Sequence, residues 1–106
     1  MLVGVHGLRL YIIHIRMHKY LSVYSIAKEE TRLAFGAAIC EIDDDCFDVF
    51  DDHAIAFKSD RSLPDLHKIL ISSCIEPGDE AWIFILDKNF TGNGTALDNL
   101  RVFMSK

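Results

Sequence analysis

Positive charge is scarce in this 106-residue chain: eleven Lys and Arg side chains stand against sixteen Asp and Glu, for a net charge of -5. Such a balance does not build a broad phosphate-tracking surface, so any nucleic-acid partner would depend on local contacts. Cysteine is sparse and odd in number. Cys40, Cys46 and Cys74 cannot form a fully paired disulfide framework, and their spacing matches no compact zinc motif, so they read as small apolar side chains or free thiols. No uninterrupted apolar run reaches bilayer-spanning length, because Arg9 and His14 interrupt the N-terminal stretch. That stretch also lacks the basic segment and small-residue cleavage site of a signal peptide, so cytoplasmic residence without membrane association is expected. Asn89-Phe-Thr91 and Asn93-Gly-Thr95 are formal glycosylation sequons that matter only in a secretory compartment.

What is present is half apolar by composition, enough for one packed core, and residues 1–106 are read as a single domain. Charge is unevenly spread. Residues 1–32 hold five basic and two acidic groups, whereas residues 33–60 hold one basic and eight acidic groups.

Apolar residues on both faces of 8–16 predict an interior strand. Tyr20, Val23, Tyr24, Ala27, Thr31, Ala34 and Phe35 recur at helical spacing, predicting a helix over 19–35 ended by Gly36, although KYLSVYSI also alternates as a strand. Strands are expected over 37–42, 53–57 and 81–86. The last, AWIFIL, is apolar on both faces and reads as interior, with Trp82 and Phe84 structural. Residues 62–74 carry the clearest helix signals: Ser62 as N-cap, Pro64 in the first turn, and Asp65 three residues after the cap. The resulting order, β-α-β-β-α-β, describes an α+β protein with a four-stranded antiparallel sheet in the ferredoxin-like arrangement. Residues 87–106 follow as a loop plus an edge strand or dimerisation segment.

HAIAFKSDRSLPDLHKILISSCIEPGDEAWIFILDKNFTGNG, residues 53–94, resembles the Cas2-like small proteins, including those called SinR-like. The resemblance implies a dimer. It also implies one of several roles, since some members are metal-dependent nucleases and others serve in nucleoprotein assemblies or as antitoxins. The nucleases characteristically end their first strand with an aspartate, whereas residues 11–19 here contain no acidic residue. That departure weakens the nuclease expectation.

DDDCFDVFDDH, residues 43–53, carries the densest chemistry. Asp43 and Asp45 share one face of an extended segment, and Asp51 and His53 share another, so Asp43, Asp45 and Asp51 are candidate ligands for Mg2+ or Mn2+. In that enzymatic alternative, an endoribonuclease, Asp51 and His53 would be the catalytic residues, with His53 either protonating a leaving oxygen or helping to activate water. The run lacks the EF-hand glycine and ligand spacing, and repulsion among its carboxylates favours a solvated hairpin. The leading expectation is therefore a noncatalytic regulatory or assembly homodimer requiring no cofactor. Asp43, Asp44, Asp45, Asp48, Asp51 and Asp52 would face a basic protein partner, with Phe47 and Phe50 adding apolar burial. Leu100, Val102 and Phe103 are candidate dimer contacts. TGNGT, residues 91–95, lacks the Walker continuation and reads as a turn. His14 and His18 straddle a predicted strand end, and two neutral imidazoles would favour a transition metal over magnesium, so they read as packing or solvent-facing residues; His67 reads likewise, with no nucleophile or orienting acid identifiable beside it.

Overall fold

The computed structural model describes residues 17–51 and 53–105. The strand expected over 8–16 lies outside them. The described chain opens with β1 (His18–Ser25), α1 (Glu29–Ile42), β2 (Phe47–Phe50) and β3 (Ala54–Ser59). It continues with a helix over 63–74, here α2, then β4 (Glu80–Ile85) and α3 (Thr95–Ser105). All strand pairings are antiparallel, and the sheet order is β2-β3-β1-β4. The protein is thus α+β, with a four-stranded antiparallel sheet and three helices among the described residues.

Residues 18–25 form a strand rather than the start of a helix. Period-two alternation decides this: Tyr20, Ser22 and Tyr24 are buried on one face while Leu21, Val23 and Ser25 point to the other. Both neighbours fix the register, with Leu21 opposite Ala56 in β3 and opposite Phe84 in β4. The helix begins later. Glu29 and Glu30 occupy its first turn, where negative charge complements the helix dipole, and Thr31, Phe35 and Ile39 turn inward at helical spacing.

Gly36 does not end α1, and 37–42 is helix rather than strand. A Cβ at Gly36 would meet Ile55 Cδ1 at 3.8 Å, an ordinary contact, so the glycine is a tolerated interior residue. Its propensity cost of ~1 kcal/mol is outweighed by burial of Phe35 and Ile39, both fully inaccessible. Propensity yields to packing here.

The Ser62 cap forms as expected, its Oγ accepting from Asp65 N at 3.3 Å. Within α2, a π-helical segment (His67–Ile71) separates two α segments, Leu63–Leu66 and Ser72–Cys74. Leu66 and Leu70 still reach the core. The Glu76–Asp79 turn closes with Asp79 N donating to Glu76 O, and Gly78 supplies the φ of 93° that the Pro-Gly turn needs.

One sheet face is covered by α1 and α2. Tyr20, Tyr24, Ile55 and Phe57 meet Phe35, Ile39, Leu66 and Leu70 there in the main core. Ser22 lies in the same layer, fully buried, with its hydroxyl unpaired. The opposite face is covered over its β2 and β3 side by α3, whose Leu100 and Phe103 pack with Ala56, Leu21 and Phe47. Residues 95–105 are therefore helix and not an edge strand: the inward pair Leu100 and Phe103 sits three apart, a helical spacing. Lys19 completes the dock by donating from Nζ to Met104 O at 2.7 Å, a cation at a helix C-terminus, with its ammonium 5.8 Å from the Phe103 ring centre.

Candidate functional site

The acidic stretch is a turn held by one of its own members. Asp43 ends α1, its N–H still bonded to Ile39 O. Its Oδ1 accepts from Asp45 N at 3.0 Å and its Oδ2 from Lys58 N at 2.8 Å, tying the turn to the outer end of β3. Both oxygens are thereby engaged in backbone recognition, the role aspartate commonly takes at helix ends and turns. The carboxylates of Asp43, Asp44 and Asp45 lie within 4.8 Å of one another, and Asp44 and Asp45 face solvent. Such proximity is ordinary for a solvated acidic turn and assigns no metal.

The other candidates scatter. Asp48 and Asp51 are exposed, Asp51 stands apart from the Asp43–Asp45 group, and Asp52 falls outside the described residues. His53 is exposed as well, and only its backbone bonds, to Phe50 O and from Tyr24 N. Among the described residues, neither the Asp51 nor the His53 side chain has a hydrogen-bond partner to orient it for proton transfer. Phe47 meets Phe103 edge-on at 5.2 Å within the chain, while Phe50 is 60% exposed beside the bulge in β2. Leu100 and Phe103 face the chain's own sheet, which leaves Val102 as the exposed member of that trio.

The less expected feature is an apolar sheet surface beyond the reach of α3. Val23 lies directly opposite Trp82 and Leu21 opposite Phe84, so these side chains share one face of β1 and β4. Trp82 is 60% exposed and Phe84 49%. Among the described residues β4 is the edge of the sheet, contrary to the interior position expected for AWIFIL. Ile85, on the other face, is also exposed.

A pair of thiols is the other feature the sequence concealed. Cys40 in the last turns of α1 and Cys46 just before β2 bring their Sγ atoms to 2.9 Å. Burial, then the hydrogen bond with Cys40 and the negative charge of Asp43 and Asp48, push the Cys46 thiol up to about 12. Reading 37–42 as a strand hid this proximity, because the chain reversal between the two cysteines depends on the helix ending at Asp43.

Among the described residues no helix is long and apolar enough to cross a membrane. No family model, curated protein or solved structure matches the chain.

Proposed function

We propose that this chain is a noncatalytic regulatory or assembly protein that acts as a homodimeric protein-binding module on a ferredoxin-like fold. The element order β-α-β-β-α-β, the sheet order β2-β3-β1-β4 and the shared core of α1 and α2 support that fold. The observation that carries the function is the exposed surface of Trp82 and Phe84 on β4, the edge strand among the described residues, with Val23 beside them on β1.

A second copy of the chain fits this edge better than it fits the opposite one. β2 carries Asp48 and is flanked by Asp43, Asp44, Asp45 and Asp51, whose like charges would repel a symmetric neighbour, whereas β4 carries Glu80 in its span EAWIFI and is flanked by Asp79 and Asp87, a sparser acidic set. Antiparallel pairing of two β4 strands centred on Ile83 keeps each side chain on its own sheet face. It sets Trp82 opposite Phe84 of the second copy and Glu80 opposite Leu86, extending one sheet through both molecules with no carboxylate opposite another within the strand itself; Asp79 and Asp87 meet only beyond its ends. The acidic turn, at the far edge, then stays open to a basic protein partner through Asp44, Asp45, Asp48 and Asp51, with Phe50 supplying apolar contact. The Cas2-like resemblance extends this reading to a toxin-antitoxin or nucleoprotein setting in the cytoplasm.

The reading requires no cofactor. The alternative Mg2+- or Mn2+-dependent endoribonuclease gains no specific support, since Asp51 and His53 lack orienting partners among the described residues and Asp43 holds the turn. Sedimentation across a dilution series tests the dimer. Wild type should dissociate on dilution, and folded Trp82→Asp should stay monomeric throughout. A monomeric wild type at high concentration rejects the proposal.

A further inference from the structure

We infer that Cys40 and Cys46 form a reversible thiol-disulfide exchange site whose oxidising substrate is a low-molecular-weight disulfide of the glutathione class. This inference is independent of the dimer proposal. The carrying observation is the 2.9 Å approach of the two Sγ atoms. That is inside the roughly 3.5–4.0 Å at which nonbonded carbon atoms settle, and closure by less than ~1 Å reaches the disulfide length of about 2.05 Å. Cys40 lies in the last turns of α1 and Cys46 in the turn just before β2, so their meeting depends on the chain reversal that follows the helix.

Access is the second observation. Both cysteines line an open groove of about 320 Å³ whose walls include Tyr24, Leu33, Gly36, Phe47 and Ile55. Cys40 is solvent-exposed, while Cys46 is half-buried behind it, which divides the labour. Cys40 gives up its proton to solvent, and its thiolate attacks one sulfur of the small disulfide. The S–S bond of the reagent breaks, one thiolate leaves and is protonated, and a mixed disulfide remains on Cys40. Cys46 then attacks the Cys40 sulfur, its proton passing through solvent to the departing small thiolate, which leaves as the second small thiol. Two protein thiols are oxidised by two electrons and one small disulfide is reduced to two thiols; excess small thiol runs the sequence backwards.

The product closes a ring over residues 40–46 and so encloses Asp43, Asp44 and Asp45. Oxidation would thereby fix the acidic turn that Asp43 already ties to Lys58. The third cysteine, Cys74, is on α2 and provides an internal control.

The full chain, reduced and then equilibrated with mixtures of reduced and oxidised glutathione, supplies the test by thiol titration, intact mass and peptide mapping. As the mixture becomes more oxidising, the three free thiols should fall to one, with loss of two hydrogens and a crosslink mapped to Cys40 and Cys46. Folded Cys46→Ser should stop at one glutathione on Cys40. Cys40→Ser should lose the crosslink, and Cys74→Ser should retain it. Three thiols persisting in the most oxidising mixture, a crosslink through Cys74, or only intermolecular disulfides would each overturn the inference.

Discussion

Replacing Phe103 by alanine tests whether α3 belongs to the protein's own core. Phe103 is 5% exposed, packs edge-on against Phe47 at 5.2 Å, and lies beneath the Lys19 ammonium. Phe→Ala in closed cores costs about 3–5 kcal/mol. Phe103 belongs to the smaller of two clusters, in which only Ala56, Leu100 and Phe103 itself are buried, so ~3 kcal/mol at the low end is expected. With a urea slope of about 1–3 kcal/mol/M, the unfolding midpoint should fall by roughly 1–3 M. The Phe47–Phe103 contact should appear separately in a double-mutant cycle as a coupling of ~0.5–1.5 kcal/mol. Urea titration of the four cycle members, at two protein concentrations, makes the measurement. The reasoning fails if Phe103→Ala costs less than ~1 kcal/mol, a loss typical of a lightly packed surface position. It also fails if the cost scales with protein concentration, since that would make Phe103 an interface residue.

Other perturbations probe the main core and its turns. Ser22→Ala removes a buried hydroxyl without a partner and should leave stability unchanged or raise it by ~1 kcal/mol in urea titration; a clear loss would mean the hydroxyl is bonded. Ser62→Ala should cost ~1 kcal/mol by removing the cap on Asp65 N, and an unchanged midpoint would deny the cap any role. Tyr20 is buried, its hydroxyl donating to Arg61 O, and burial raises its pKa above the ordinary 10.0. Because the unfolded tyrosine ionises first, its contribution is intact below pH 10 and is lost as pH rises through the folded pKa. Wild type should therefore lose stability above pH 10 more steeply than Tyr20→Phe, and parallel alkaline unfolding curves would contradict the assignment.

The second half of the chain was more legible than the first because its signals agree with one another. The Ser62 cap, Pro64, the Pro-Gly turn and the apolar run after it are local features, and local features decide those elements. Between residues 18 and 42 they conflict. Tyr20 and Tyr24 satisfy both a period of two and a spacing of four, and only pairing with Phe57 and Ile85 on the flanking strands selects the strand. Gly36 reads as a stop when its neighbour Ile55 is not known. At the C-terminus the glycines and asparagines are turn-forming residues that precede Leu97, Leu100 and Phe103, whose helical spacing α3 uses. The acidic turn was visible as composition, but the distinct role of Asp43 depends on Lys58 N, fifteen residues away. Neither the thiol pair nor the exposed Trp82 surface was legible, since each depends on which elements end up adjacent.

Trp82 is the chain's single tryptophan, so its fluorescence reports directly on the surface proposed to pair two copies. Emission recorded across a protein dilution series should be blue-shifted at high concentration, where a second copy covers the indole. It should move to the red on dilution, with a midpoint matching the dimer dissociation seen by sedimentation. Emission that stays solvent-like at every concentration would contradict the homodimer.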